Sequence, residues 1–189
     1  SFSQLIYDKM NFRNAAAVLK VGDGNLNIQK MNVDAFGGIM ALTGTYSTSD
    51  PGKPFVDFDL DMKEISFKEV FQQVTVMKKI APIFDKAFGK FNSRLKINSL
   101  LQQDMMPVLS SILGSGSLNA KAVAVKEVNA LTMLGEALKS NELANLTLKD
   151  LALMFEIKDG KVNTKPFTIK AANMEMKLGG STGLDQSID

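Results

Sequence analysis

Asp57, Asp59 and Asp61 stand at alternate positions in "VDFDLDMK" (Val56–Lys63). An extended strand carries them on one face, and neighbouring carboxylates can hold Ca²⁺ or perform general acid–base work. The competing reading is a solvated outer face that keeps an antiparallel sheet soluble, with Lys63 and nearby lysines beside the acids. No carbonyl-rich loop accompanies the triplet, which favours the solvated face. "GDGN" (Gly22–Asn25) and "KDGK" (Lys158–Lys161) lack the acidic spacing of an EF-hand. Asp-Gly between alternating runs is instead a hairpin signal. "GSGS" (Gly114–Ser117) precedes a strand, whereas a dinucleotide loop follows one and opens a helix.

Composition narrows the chemistry further. The 189 residues contain no His, no Cys and no Trp. Without His and Cys, neither a Ser-His-Asp nor a Cys-His arrangement can form within the chain, and Cys-ligated metal sites and disulfides are excluded. Carboxylate, Lys or Ser chemistry remains, but no constellation supports it. The expectation is therefore a protein that is not an enzyme, with no catalytic residues, no metal and no cofactor. The lack of Cys fits an oxidising compartment that avoids disulfides. Net charge is +2, and no basic stripe interleaved with aromatics appears, so nucleic acid is not an expected partner. No apolar run reaches the length of a membrane-spanning helix. The opening "SFSQLIYDKM" lacks the basic head and apolar core of a signal peptide. The chain does not begin with Met and ends in what reads as strand, which suggests a segment of a longer protein.

The elements that position these residues read as one domain over residues 1–189. Arg13–Val21, Leu26–Val33 and Ile39–Ser47 form a meander with turns at "GDGN", "FGG" and "SDPGK". The strand beginning near Lys53 follows. After Ile65 the period changes: Ser66 and Glu69 have capping-box spacing, and Phe67, Val70, Phe71 and Val74 share a helical face. A second helix is predicted from Met77 to Ala87, with Pro82 early in it or breaking it. "APIFDKAFG" (Ala81–Gly89) aligns without gaps to "MPVLSSILG" (Met106–Gly114), each predicted as a short helix begun by Pro and ended by Gly. Both run into strands, one holding Phe91, Leu95 and Ile97, the other Leu118 to Val125. Asn129–Lys139 reads as a further helix feeding a strand at Leu146–Lys158. Asp23–Gly44 aligns ungapped to Asp159–Gly180, a meander unit used twice.

The class expected is α+β: a mainly antiparallel, curved, groove-like β-sheet with about three short helices and internal repeats. A sheet of about ten strands is nearly 50 Å wide at roughly 4.8 Å per strand. Three helices of about 15 Å cannot roof one apolar face of it. The sheet must curl or leave an apolar trough. Val56, Phe58, Leu60, Met62, Leu95, Ile97, Leu153, Phe155, Ile157, Met174, Met176 and Leu178 are its expected lining. Met40 and Met154 also fall on strands. With 11 Met and 12 Phe, the chain has the pliable apolar content that such a lining uses.

The order of motifs then becomes familiar: "DG-x-L-x-I" (Asp23–Ile28), "FGG-x-M-x-L-x-G-x-Y" (Phe36–Tyr46), an acidic alternating strand, "KIAPIFDKAFGKF" (Lys79–Phe91), "MPVLSSILGSGSL" (Met106–Leu118), "LALMFEIKDGKV" (Leu151–Val162) and the closing "LGGSTGLDQSID". This resembles the C-terminal region of AsmA-like proteins of Gram-negative bacteria, particularly the Bacteroidetes type. The resemblance implies a periplasmic module of an inner-membrane-anchored protein that supports outer-membrane biogenesis. It implies a β-groove shielding acyl chains of phospholipid or another amphiphile, with neighbouring repeats of the full-length chain as partners. The membrane would be reached only through an anchor absent from this segment. The family pattern carries no catalytic residues. The alternative is a structural or protein-interaction module in envelope assembly that binds no lipid.

Overall fold

The computed structural model describes residues 1–7, 9–75, 77–128, 132–133, 136, 145–171 and 174–184. Its strands are β1 (Phe2–Tyr7), β2 (Met10–Gly22), β3 (Asn25–Ala35), β4 (Gly38–Ser47), β5 (Phe55–Ser66), β6 (Ala87–Leu100), β7 (Leu113–Lys126), β8 (Asn145–Lys158), β9 (Lys161–Ala171) and β10 (Met174–Gly183). They form one ten-stranded sheet whose spatial order is the sequence order, every neighbouring pair antiparallel. The sheet does not close.

The α+β class is corrected by this architecture: strand accounts for 70% and helix for only 12%. The β5–β6 connection holds α1 (Phe67–Gln73), the single turn α2 (Met77–Ile80) and a 3-10 turn at Pro82–Lys86. Pro82 lacks the amide that a continuing helix needs, so the predicted Met77–Ala87 helix splits. The aligned Met106–Gly114 segment holds only a 3-10 turn at Leu109–Ser111. Gly89 and Gly114 end no helix; both lie inside strands that have already begun. "GSGS" likewise lies within β7 rather than before it. The helix predicted at Asn129–Lys139 falls largely outside the described residues. β1, which shows no clear alternation, adds an edge strand not anticipated above.

Ser66 caps α1: the Glu69 amide donates to Ser66 Oγ at 3.3 Å. The reciprocal half of the capping box is replaced, because the Ser66 amide donates to the Phe36 carbonyl at 2.9 Å. The Glu69 carboxylate instead accepts from Gln73 Nε2 at 3.4 Å.

Curvature comes from breaks in the two-residue period. Arg13–Asn14, Gln29–Lys30, Lys63–Glu64, Lys121–Ala122, Lys149–Asp150 and Lys165–Pro166 are consecutive exposed pairs, each flanked by more buried residues on both sides. Asn14, Glu64 and Asp150 take positive φ (51°, 56° and 51°), and the pairing register shifts at Ile28/Met31 and Met62/Ile65. Such bulges bend strands and increase twist. They keep one set of apolar side chains inward along the whole of each long strand.

The repeat is reproduced to the level of register. Asn25↔Ser47, Ile28↔Gly44 and Met31↔Leu42 in β3–β4 correspond to Lys161↔Gly183, Thr164↔Gly180 and Phe167↔Leu178 in β9–β10. The same bulge lies just before Gly44 and Gly180 in their strands, and their φ values are 142° and 141°. The Thr48 amide donates to Gly24 O at 2.7 Å, and the equivalent Leu184 amide donates to Gly160 O at 2.7 Å.

The core is thin. Its main cluster lies under the β5–β6 connection, where Phe67 and Val70 of α1 pack over Ile65, Phe91, Leu118 and Val123. The Phe67 ring lies 4.5 Å from that of Phe91, tilted by 42°, and meets Phe84 edge-on at 4.8 Å. Ile65 is 0% exposed. Ile65→Ala is expected to lower the free energy of unfolding by about 2–5 kcal/mol, and Ser66→Ala by about 1 kcal/mol, both measured by urea denaturation followed by far-UV circular dichroism.

Candidate functional site

Cross-strand register decides which candidate residues meet. Met31, Leu42, Leu60, Leu95, Gly116 and Phe155 occupy one continuous row across β3 to β8. Phe58, Ile97, Gly114 and Ile157 occupy the next. Met40, Met62, Ser93, Leu118 and Leu153 form the row on the other side. All project to the inner face, because strand side chains alternate.

Among the described residues, the two ends of this face are buried more deeply than the row between them. At one end Met62, Leu153 and Met176 pack against the cluster beneath α1. At the other, the segment containing Leu109 and Ile112 joins Leu184 over Ile157, which is 6% exposed. Between them Leu42, Leu60, Leu95 and Phe155 remain half-buried. The open span from Ser93 to Ile97 along β6 is roughly 13 Å. The chain's accessible surface is 11775 Å², against roughly 8,900 Å² for a compact monomer of this mass. A single-layer sheet exposes more surface than a compact globule of the same mass.

The expected lining therefore separates. Phe58, Leu60, Leu95, Ile97 and Phe155 form the half-buried floor, and Val56 continues it beside Tyr46 on one side and Ser99 on the other. Ile157 is corrected to a sealed core residue, closed off by Leu184. Met62, Leu153 and Met176 line the wall beneath the helical cover rather than the open floor. Leu178 sits on the edge strand, 44% exposed. The side chain of Met174 lies outside the described residues. Met40 is buried, and Met154 projects from the opposite face, 59% exposed. Three positions of the central row, Met31, Leu42 and Gly116, lie outside the expected lining. Leu42 carried a signal in "GIMALTG". Gly116 carried none, since it offers no apolar side chain.

Gly116 shapes the floor by its smallness. A Cβ there would stand 2.6 Å from the Phe155 ring and 2.7 Å from the Arg94 carbonyl. Phe155 thus lies across Gly116 and fills the row where a side chain is missing.

The opposite face answers the carboxylate question. Asp59 lies opposite Lys96 and Asp61 opposite Arg94. Lys96 Nζ approaches Asp59 at 3.1 Å and Arg94 Nε approaches Asp61 at 3.6 Å. Asp57 lies opposite Asn98. A shallow depression of about 640 Å³ opens between these pairs and Ser115, Ser117, Glu156 and Lys165. Its charges are of both signs and largely matched. Among the described residues no group of three or more acidic side chains could hold a metal ion.

Comparison with protein-family models, with curated proteins and with solved structures gave no match.

Gly116→Val is expected to expel the Phe155 ring and to cost about 1–3 kcal/mol of stability, measured by urea denaturation. Asp59→Asn and Asp61→Asn are each expected to change stability by less than about 1 kcal/mol. Millimolar CaCl₂ is expected to leave the wild-type melting temperature unchanged; a rise of several degrees that both substitutions abolish would restore the cation-site reading.

Proposed function

We propose that this chain is a non-enzymatic groove module that shelters the acyl chains of a phospholipid or similar amphiphile. The observation that carries the reading is the half-buried apolar row of Leu42, Leu60 and Leu95, continued by Phe155, between the more deeply buried ends of an open sheet. Each methylene sheltered contributes about 0.8 kcal/mol, so a chain of ~14 methylenes gains at most about 11 kcal/mol before ordering costs. Apolar side chains fix no hydrogen bonds. Acyl chains can slide along such a floor, and selectivity among them is low, while headgroups stay in water.

The motif order supports placing this module in an AsmA-like protein. On that reading it is periplasmic, is anchored to the inner membrane through another part of the full-length chain, and contributes to outer-membrane biogenesis. A second reading, a protein-interaction module, is favoured by β1, an edge strand exposing Leu5, Ile6 and Tyr7. Concentration-dependent self-association without lipid uptake would select it.

Native mass spectrometry of the bacterially expressed protein is expected to show co-purifying lipid, recoverable by solvent extraction. Leu95→Asn is expected to reduce bound lipid severalfold while the circular dichroism spectrum is retained, and Leu95→Trp to do so by filling the floor. No lipid on the wild type, or equal lipid on folded forms of both variants, would overturn the reading.

A further inference from the structure

The two copies of the repeated hairpin have the same backbone but different neighbours. β4 is flanked by β5, whereas β10 is the last strand of the sheet among the described residues. At Gly44 the neighbour is intimate: a Cβ would meet the Asp57 carbonyl oxygen and stand 2.8 Å from the Phe58 ring. Gly180 holds the same φ, a value that side chains of L-residues rarely adopt, yet no described residue lies within 4 Å of its Cβ position. The missing Cβ that makes room for Phe58 at position 44 is thus repeated at position 180, where no described residue lies against it.

The residues along β10 are those an added strand would meet. The β4–β5 register pairs Met40 with Met62, Leu42 with Leu60 and Gly44 with Phe58. Their equivalents on β10 are Met176, Leu178 and Gly180, so the inward row is preserved. The outward positions differ in an informative way. Ile39 and Ala41, opposite Lys63 and Asp61, are replaced by Glu175 and Lys177, both exposed. A strand of the β5 pattern would therefore place Lys opposite Glu175 and Asp opposite Lys177, two cross-strand pairs of opposite sign.

We infer that the edge of β10, unpaired among the described residues, is a docking site for an extended polypeptide segment patterned like Phe58–Lys63. This segment runs antiparallel, with an aromatic residue over Gly180, apolar residues opposite Leu178 and Met176, an acid opposite Lys177 and a base opposite Glu175. Main-chain hydrogen bonds supply the affinity, and the Gly180 slot and the two charges set the register. The inference rests on the equivalence of the two hairpins and is independent of lipid binding.

The test is a backbone-amide NMR titration of the intact chain with a synthetic peptide of the Pro54–Ser66 sequence, to millimolar concentration. Shifts are expected along β10 and not along β1. A Phe58→Ala peptide is expected to bind at least about tenfold more weakly. An Asp61→Lys peptide is expected to bind up to about fivefold more weakly, and Lys177→Glu in the protein is expected to rescue it. Lys177 is exposed, so its replacement leaves the fold in place. Absence of shifts at millimolar peptide, shifts confined to β1, or binding unaffected by both the aromatic and the charge changes would overturn the proposal. Self-association through β10 that the peptide does not displace would also overturn it.

Discussion

An antiparallel sheet in which every strand pairs only with its sequence neighbours acquires one apolar face, and that face must be withdrawn from water. Here the material for doing so is scant. Among the described residues, a seven-residue helix, one further turn and short 3-10 segments lie on a face ten strands wide. Fully dry side chains are few: Ile65 and Val33 under the cover and in the curled β2–β5 region, Leu184 at the far end. The rest of the apolar row stays half in solvent. The outer face has the opposite problem and solves it with ion pairs laid across β5 and β6, which maintain solubility and add little stability.

Bulges make this arrangement possible. A flat sheet of this width would leave its whole apolar face open. Pairs such as Lys63–Glu64 and Lys149–Asp150 bend the strands and return the alternation to the inward phase, so that Ile65 and Leu151 join the same cluster as Met62 and Leu153. The bend of the sheet is therefore a consequence of local backbone geometry as much as of side-chain type. At Gly116 the missing side chain leaves the space that the Phe155 ring occupies.

Much of this architecture was legible because period-two alternation and Asp-Gly turns are strong local signals. The carboxylate face, the Ser66 cap and the repeat of Asp23–Gly44 at Asp159–Gly180 could be read from residue type and spacing alone. Pro82 and Pro107 carry the signal of a helix start, but the segments behind them are too short to continue beyond a 3-10 turn, so helix content is lower than the pattern suggests. Bulges were missed although each leaves a mark, two adjacent exposed residues where alternation allows one. Ile157 was placed on the open floor because nothing near it in the chain announces that Leu184 seals it. Gly116 was invisible for the converse reason: its contribution is the absence of a side chain.

The central claim is that the middle of the inner face is open to acyl chains while the outer face is not. Its most direct test is site-specific photocrosslinking in the expressing cell, with benzoylphenylalanine placed at Leu95 on the floor and at Lys96 on the reverse side of the same strand. The account predicts a lipid adduct, identified by mass spectrometry, at position 95 and none at 96. Equal adducts at both positions, or none at 95 in a folded protein, would contradict it.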